Sequence, residues 1–495
     1  MSPDLDYVAL LPEIALSVTL VAVLAADLLL PRTRKYWVAI VALVGVTLTA
    51  IPLVYLAIEG NLPSVMVDGG YVVDEFALAL KALFVASGYL VLLMSVSYIE
   101  SERYYQGEYY FLLVASILGS VVMASSRDLI TLFIGLELVT GPLFLLAGWR
   151  KGDVKSNEAS LKFFLIGVLS TALLLWGMSF LYGLTGTVDF AGLAAASGDL
   201  VDNPAFVLAV LFVMVGFAFK VTAAPFHWWA PDTYEGAPTP VTAYLSVSSK
   251  AAGFVGLLLI TYLALPDAAS IWGPALWLLA VVSMTLGNLS ALRQRNIVRL
   301  LAYSSVAQAG FMMVPFAGAA VAGSDLGAAV TATVTYLIIY AVMNLGAFAV
   351  VIAGARKTGN GEMDGWAGLG SYAPGLGLAV ALFFFSLAGI PPLAGWFAKF
   401  VMFRAVIGTG NPWTLALAVI AAINTVIALV YYARVAKVVW MDPAPEAVPQ
   451  GRERPVAASI GLVLGIAAVI TVVLGFLPGI VASFADATRV IVAGG

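Results

Sequence analysis

Apolar runs of about membrane-spanning length recur from one end of this 495-residue chain to the other, and no other feature restricts its fold as much. A hydrocarbon core roughly 30 Å thick is crossed by about 20 helical residues. Fourteen such runs can be marked, at approximately 8–30, 36–58, 76–98, 109–126, 128–149, 159–183, 206–225, 239–263, 271–291, 297–318, 328–354, 374–408, 412–438 and 456–481. The chain is 62% hydrophobic and 11% charged, where soluble domains run about 45–50% and about 25%. It cannot cover a core with polar surface in water and must be solvated by lipid. Strands of a membrane barrel would alternate in polarity over roughly ten residues, and none of these runs does. The expected fold is an all-α polytopic membrane protein with about fourteen transmembrane helices.

Composition removes several kinds of chemistry. With no cysteine, the chain can build no iron–sulfur cluster, zinc–thiolate site, covalent haem or disulfide. His227 is the only histidine, which excludes bis-histidine haem ligation within the chain. Neither a complete GxGxxG opening a helix after a strand nor a GxxxxGK[ST] loop occurs. Electron transfer by this chain is therefore not expected, and no cofactor or metal is assigned to it. A net charge of −4 offers no basic footprint for a nucleic acid. Asp4 and Asp6 stand where a cleaved signal would be basic, so the first run is read as a span.

Basic residues orient the spans. The loops after odd-numbered spans hold Arg32, Arg34, Lys35, Arg103, Arg150, Lys151, Lys155, Arg293, Arg295, Arg299, Arg356, Lys357, Arg434, Lys437, Arg452 and Arg454. The loops after even-numbered spans hold Arg127 alone, and the C-terminal tail adds Arg489. Sixteen against two puts the first set inside. Both termini are then expected outside, with Ser156 and Thr358 facing the cytoplasm and Thr187 and Ser324 facing outward. The outer loops are acidic, with Asp68, Asp74, Asp189, Asp199, Asp202 and Asp325.

Two spans are interrupted. The seventh carries Pro225 five residues after Lys220, and the twelfth, 35 residues long, contains Gly389-Ile390-Pro391-Pro392. Proline removes a backbone donor and disrupts a helix, so each span is expected to split into half-helices. Being five apart, the two spans cross in opposite directions. Matched broken helices of opposite orientation are the pattern of an inverted-repeat transporter with its site near mid-membrane.

Six basic residues lie inside the spans: Lys81, Lys162, Lys220, Lys250, Lys399 and Arg404. Lys81 and Arg404 are near outer ends and are expected to snorkel to the headgroups. Lys162 lies near the inner start of its span, where snorkelling and function are both open. Lys220, Lys250 and Lys399 sit deeper, as does Glu137 on the fifth span. A mid-membrane charge costs roughly 2.5–3.5 kcal/mol on the lenient insertion scale, so these four total about 10–14 kcal/mol, as much as a whole protein's net stability. Burial disfavours an ammonium ion and a nearby carboxylate favours it, so a lysine whose partner can move can load and release a proton. A static Glu137–Lys220 ion pair would leave Lys250 and Lys399 without a purpose. Ser246, Ser248, Ser249, Asn288, Tyr303, Ser304, Ser305 and Asn344 add polar groups near these lysines.

Particular strings resemble a known family. Lys220-Val-Thr-Ala-Ala-Pro-Phe-His-Trp-Trp-Ala-Pro-Asp-Thr-Tyr-Glu-Gly-Ala-Pro-Thr-Pro-Val and Ser-Lys250-Ala-Ala-Gly-Phe are similar to subunit N of the proton-translocating NADH:quinone oxidoreductase, complex I. So are Gln294-Arg-Asn-Ile-Val-Arg-Leu-Leu-Ala-Tyr-Ser-Ser-Val-Ala-Gln-Ala-Gly and Gly389-Ile-Pro-Pro-Leu-Ala-Gly-Trp-Phe-Ala-Lys399. The likeness covers roughly residues 70–440. Subunits L and M and the multisubunit cation/proton antiporters read His-Ser/Thr-Trp-Leu-Pro-Asp-Ala-His where this chain has His227-Trp-Trp-Ala-Pro-Asp-Thr-Tyr. The chain also ends soon after its last span, without room for the lateral helix of subunit L. Val298 departs from the family's commoner Asn-Ile-Lys-Arg, which removes a lysine at the inner end of the tenth span.

The resemblance implies N-terminal helices over 1–108, a first five-helix repeat over 109–263, a second inverted repeat over 271–438, and a cytoplasmic loop and last span over 439–495. It implies that Glu137 is a carboxylate switch, Lys220 the lysine it controls, Lys250 a central relay and Lys399 the lysine of a second half-channel. Lys162 and His227 match family positions with weaker claims to a role. The chain would be a cell-membrane subunit that moves protons while NADH, FMN, iron–sulfur clusters and quinone do redox chemistry in partner subunits. Those partners would be the other antiporter-like and small membrane-arm subunits, within a lipid bilayer. The competing expectation is a subunit of an Mrp-like sodium/proton antiporter or a related hydrogenase complex.

Overall fold

The computed structural model describes residues 5–102, 107–444 and 455–486. Arg103, Arg452, Arg454 and Arg489, and the two chain ends, lie outside the described residues. The chain opens with α1 (Leu11–Leu29) and α2 (Tyr36–Glu59), then a small antiparallel hairpin of β1 (Ser64–Met66) and β2 (Tyr71–Val73). There follow α3 (Glu75–Glu102), α4 (Gly107–Ser125), α5 (Leu129–Ala147), α6 (Val154–Thr185) and the short α7 (Phe190–Leu200). The first interrupted region is α8 (Pro204–Lys220) and α9 (Trp229–Gly236). The next span runs from α10 (Thr239–Tyr244) through a wide π-turn, Leu245–Ser249, into α11 (Lys250–Leu259). Three long helices follow: α12 (Ala269–Ala291), α13 (Ile297–Ala322) and α14 (Leu326–Thr358). After the one-turn α15 (Leu369–Tyr372), the second interrupted region is α16 (Pro374–Ala388) and α17 (Ala394–Ile407). The chain closes with α18 (Pro412–Trp440), α19 (Ala458–Phe476) and α20 (Gly479–Asp486).

Among the described residues, twelve helical stretches are long and apolar enough to cross a membrane. α8 and α16 are apolar but shorter. Helix starts follow from local chemistry. Asp128, Asp153, Asn203, Asn296, Asp325 and Asn411 each accept first-turn backbone N–H groups at the starts of α5, α6, α8, α13, α14 and α18. Such caps satisfy donors that a helix start leaves over and are worth about 1 kcal/mol each. α3, α4, α10–α11, α13 and α14 form the buried centre, while α1, α2, α6, α12, α18 and α19 are buried over only about a third of their lengths. That outer ring presents Leu, Val, Ile and Trp side chains, the surface a lipid solvent requires.

Several expectations need correction. The first break comes earlier than Pro225: α8 ends at Lys220 itself, and Pro225 lies in the connecting turn. α6 begins at Val154, so Ser156 is a buried helical residue whose hydroxyl bonds the Ala147 carbonyl, rather than part of a loop. Thr358 is also buried, at the end of α14. Lys81 does not snorkel. Its side chain has no exposed surface and its Nζ lies 2.5 Å from Glu13 Oε1. A carboxylate on α1 gives the ammonium a nearer partner than the headgroups. Arg404, by contrast, is exposed.

Candidate functional site

At the first break Lys220 is the last residue of α8, so its own helix's unpaired carbonyls surround its backbone. Its Nζ donates to Glu137 Oε1 at 3.0 Å and to Thr140 Oγ1 at 2.8 Å. Glu137 and Thr140 are three residues apart on α5 and so share a face. Thr171 Oγ1, from α6, donates to the same Glu137 oxygen at 3.0 Å. Lys220 is buried, but the Glu137 side chain is 30% exposed in the isolated chain, so it is less enclosed than its place in the span suggests. Gly253, one turn past Lys250, lies against Lys220: an added Cβ there would stand 3.0 Å from the Lys220 Cβ. The missing side chain lets α11 close on the end of α8.

Lys250 opens α11 straight after the π-turn, a distortion that frequently marks functional sites. Its Nζ donates to the Ser305 carbonyl of α13 at 2.6 Å. Around it, Tyr340 Oη donates to Ser305 Oγ at 3.1 Å, and Asn344 Nδ2 donates to Ser246 Oγ at 2.9 Å and to Tyr340 Oη at 3.0 Å. One turn further along α13, Gln308 takes a hydrogen bond from Tyr336 Oη at 2.7 Å and gives one to the Leu387 carbonyl at 3.2 Å. Two buried polar clusters, one turn apart on α13, therefore lie between Lys250 and the end of α16.

The second break begins beside the Leu387 carbonyl that Gln308 bonds. Gly389 ends α16 with φ +90°, a conformation that costs a side-chain-bearing residue about 1–2 kcal/mol. Lys399, in α17, reaches back to donate to the Ala388 carbonyl at 2.8 Å, and its Nζ lies 4.9 Å from the Phe311 ring centroid. α19 covers the break. An added Cβ at Gly475 would fall 1.9 Å from the Pro392 carbonyl oxygen, and Trp396 Nε1 donates to the Gly475 carbonyl at 3.3 Å.

Lys162 lies apart from these groups, in the N-terminal part of α6 and 41% exposed. Its Nζ bridges Glu158 at 2.6 Å and Asp232 at 2.5 Å. Asp232 also accepts from Arg299 at 2.8 Å, and Glu235 pairs with Arg299 and Lys155. Burial raises the Asp232 and Glu235 carboxyls, but these cations outweigh it and hold both below the usual range. His227 is buried beside Tyr303, with its Nδ1 unpartnered, in the connection between α8 and α9. The structure thus joins Glu137 to Lys220, links Lys250 to Lys399 through α13, and sets Lys162 in a surface network.

Sequence reasoning missed Thr140, Thr171, Gln308, Tyr336 and Tyr340. Thr140 was detectable, being one helical turn from Glu137. The backbone carbonyls of Ser305 and Ala388 carry no sequence signal at all. Among the described residues, no three His, Asp or Glu side chains converge to hold a metal ion. With no cysteine in the chain, the residues present do not fit an iron–sulfur cluster.

Comparison with known proteins gives a consistent answer. The transmembrane family model described as NADH:quinone oxidoreductase/Mrp antiporter matches residues 126–425. NADH-quinone oxidoreductase subunit N of Trichlorobacter lovleyi is 37% identical over 481 residues, 96% of each chain. A subunit N of Streptomyces griseus is 42% identical over 460 residues, 90% of this chain and 84% of that one. A chain in the structure of respiratory complex I from Thermus thermophilus with bound aureothin superposes with a TM-score of 0.77 at 31% identity, covering 95% of this chain and 98% of that one. The chain belongs to the NADH-quinone oxidoreductase subunit N family, within the wider family shared with the Mrp antiporters.

Proposed function

We propose that this chain is the subunit N of a proton-translocating NADH:quinone oxidoreductase, moving protons while partner subunits carry out the redox reaction. The observation that carries this reading is the Lys220–Glu137 contact at the end of a broken helix, in a chain of subunit N ancestry. On this reading the polypeptide crosses the cell membrane fourteen times with both termini outside. Residues 109–263 and 271–438 form two inverted repeats, flanked by 1–108 and 439–495. FMN, iron–sulfur clusters, NADH and quinone belong to partner subunits, and the neighbours are antiporter-like and small membrane-arm subunits.

Glu137 stabilises the protonated form of Lys220 while it stays at 3.0 Å. A displacement of the carboxylate removes that stabilisation, and the ammonium loses its proton to the next acceptor. Lys250 relays it, and the Ser305–Tyr340 and Gln308–Tyr336 hydroxyl and amide groups orient water between Lys250 and Lys399. Lys162, with Asp232, stands at the inner mouth, and His227 lies between that mouth and the membrane interior.

Purification of the tagged chain from its native membrane should bring flavin, iron–sulfur clusters and NADH:quinone activity with it. In reconstituted vesicles, Lys399→Ala should leave the complex assembled and lower protons moved per NADH oxidised. Sodium/proton exchange without flavin or NADH oxidation would replace this reading with the antiporter one. A full proton ratio in Lys399→Ala would reduce that lysine to a structural residue.

A further inference from the structure

A second carboxylate–lysine pair is sealed between the N-terminal helices, outside the residues assigned above. Glu13, in the first turn of α1, and Lys81, two turns into α3, meet at 2.5 Å. Lys81 is fully buried and Glu13 is 8% exposed. Tyr71 of β2 donates to the same carboxylate oxygen, Oε1, at 2.6 Å. The other oxygen, Oε2, is buried without a hydrogen-bond partner, as is Ser125 Oγ. The charges facing the pair are Asp74 and Arg127, already committed to each other at 2.7 Å, with Arg127 also held by the Ala124 and Ser126 carbonyls.

This arrangement repeats the first break in its parts. There, one oxygen of Glu137 takes hydrogen bonds from Lys220 and from the Thr171 hydroxyl. Here, one oxygen of Glu13 forms an ion pair with Lys81 Nζ and takes a hydrogen bond from the Tyr71 hydroxyl, although the ammonium's contact is not aligned as a hydrogen bond. In both cases the carboxylate lies two apolar spans before its lysine. A buried ion pair is poor evidence of added stability, because desolvation offsets the attraction and apolar residues serve as well. A carboxylate with one oxygen left open is better suited to accept a proton than to staple two helices.

An inward connection also exists. Ser87, further along α3, has its hydroxyl 2.8 Å from that of Ser248, in the π-turn leading to Lys250. Six residues of helix separate Ser87 from Lys81, about 9 Å of rise. About two waters at hydrogen-bond spacing cover that distance.

We propose that Glu13 and Lys81 are proton-carrying residues, forming an outward-facing station that receives protons from Lys250. This rests on the reading of the chain as a proton translocator. The Lys81 ammonium passes its proton across the 2.5 Å contact, leaving an amine and a carboxylic acid. Glu13 then releases the proton to outer water, and the amine takes the next proton from the wire.

The test uses the whole complex in vesicles, measuring protons moved per NADH oxidised alongside the NADH:quinone rate and complex yield. Glu13→Gln and Lys81→Met should each lower the ratio by at least half of the fall seen in Lys399→Ala. In Glu13→Gln/Lys81→Met no charge is stranded, so yield should recover while the ratio stays low. A normal ratio in that double variant makes the pair a structural staple and overturns the proposal. If the double variant does not assemble, Glu13→Asp decides, since it keeps both charges and lengthens the contact by about one methylene. A lowered ratio there supports the station and a full ratio overturns it. If the complex exchanges sodium for protons without flavin or NADH oxidation, the translocator reading fails as a whole; if it pumps with NADH and the Glu13 and Lys81 variants keep a full ratio, this site alone falls.

Discussion

At the first break a lysine ends the leading half-helix and reaches sideways to a carboxylate; at the second a lysine in the trailing half-helix reaches back to a carbonyl. Lys220 and Lys399 both finish beside the C-terminal end of the half-helix that precedes the break, where unpaired carbonyls carry partial negative charge. Only Lys220 also has a full opposite charge, from Glu137. Lys399 has the Ala388 carbonyl and the face of Phe311. A carboxylate on another helix can be moved, so the first site can be set by a displacement of α5 against α8. The second is tied to its own backbone, and its state must follow from hydration or from movement of the half-helices.

The largest expected effect separates these two kinds of support. Glu137→Gln strands the Lys220 charge and should cost about 3–5 kcal/mol, the usual consequence of removing one partner from a buried pair. It should depress both the melting temperature of the purified complex and its proton ratio. Adding Lys220→Met should restore melting but not pumping. Lys399→Met removes one carbonyl contact, so it should lower pumping while costing only about 1–3 kcal/mol. The contrast collapses if the Glu137→Gln/Lys220→Met complex pumps normally, or if Lys399→Met melts as early as Glu137→Gln.

A smaller effect comes from the glycines that let each lysine sit where it does. Gly389→Ala combines a φ of +90° with a Cβ 2.8 Å from Lys399 Cδ, so about 2 kcal/mol and a displaced lysine are expected. Gly253→Ala keeps a helical backbone and meets Lys220 at 3.0 Å, so about 1 kcal/mol suffices. Equal losses of pumping in the two variants would show that the breaks tolerate crowding alike.

The least perturbing test asks whether the breaks run in opposite directions. Asp202 precedes α8 and Ser371 precedes α16, and both are exposed. Each should tolerate cysteine within about 0.5 kcal/mol. An impermeant thiol reagent should label position 202 in intact cells and position 371 only after permeabilisation. Labelling of both in intact cells would end the inverted arrangement. Ser156 and Thr358, which the span limits place in loops, are buried and unsuited to the purpose.

The long helices were legible because membrane thickness imposes a length that apolar composition reveals directly. What lies between them was not. The β1–β2 hairpin, α7 and α9 are too short to leave a periodic signal. Proline located the second break well, since Gly389 and Pro391 stand where α16 stops. At the first it misled by five residues, because the helix ends at Lys220 before the proline is reached. Glu137 and Lys220 stood out as costly charges that could pair, and the resemblance added the roles of switch and controlled lysine. The partner of Lys81 was hidden, because Glu13 lies on another helix and reads from sequence as a polar flank. Arg127, the one basic residue in the loops after even-numbered spans, is no free surface charge: Asp74 and two carbonyls enclose it.

The way α19 lies on the second break bears on how the protein is made. Gly475 brings its backbone against the Pro392 carbonyl, and Trp396 is tied to the same residue. α19 leaves the ribosome after both half-helices of the second break. Until it inserts, the Pro391–Pro392 segment and the start of α17 have nothing seated on them from that side. The second break is therefore covered only after α19 has been made and inserted. A chain truncated before residue 458 would keep every lysine discussed above yet lack this cover. Quality control that removes such fragments would spare the cell a membrane protein with charged groups and no closed route for them.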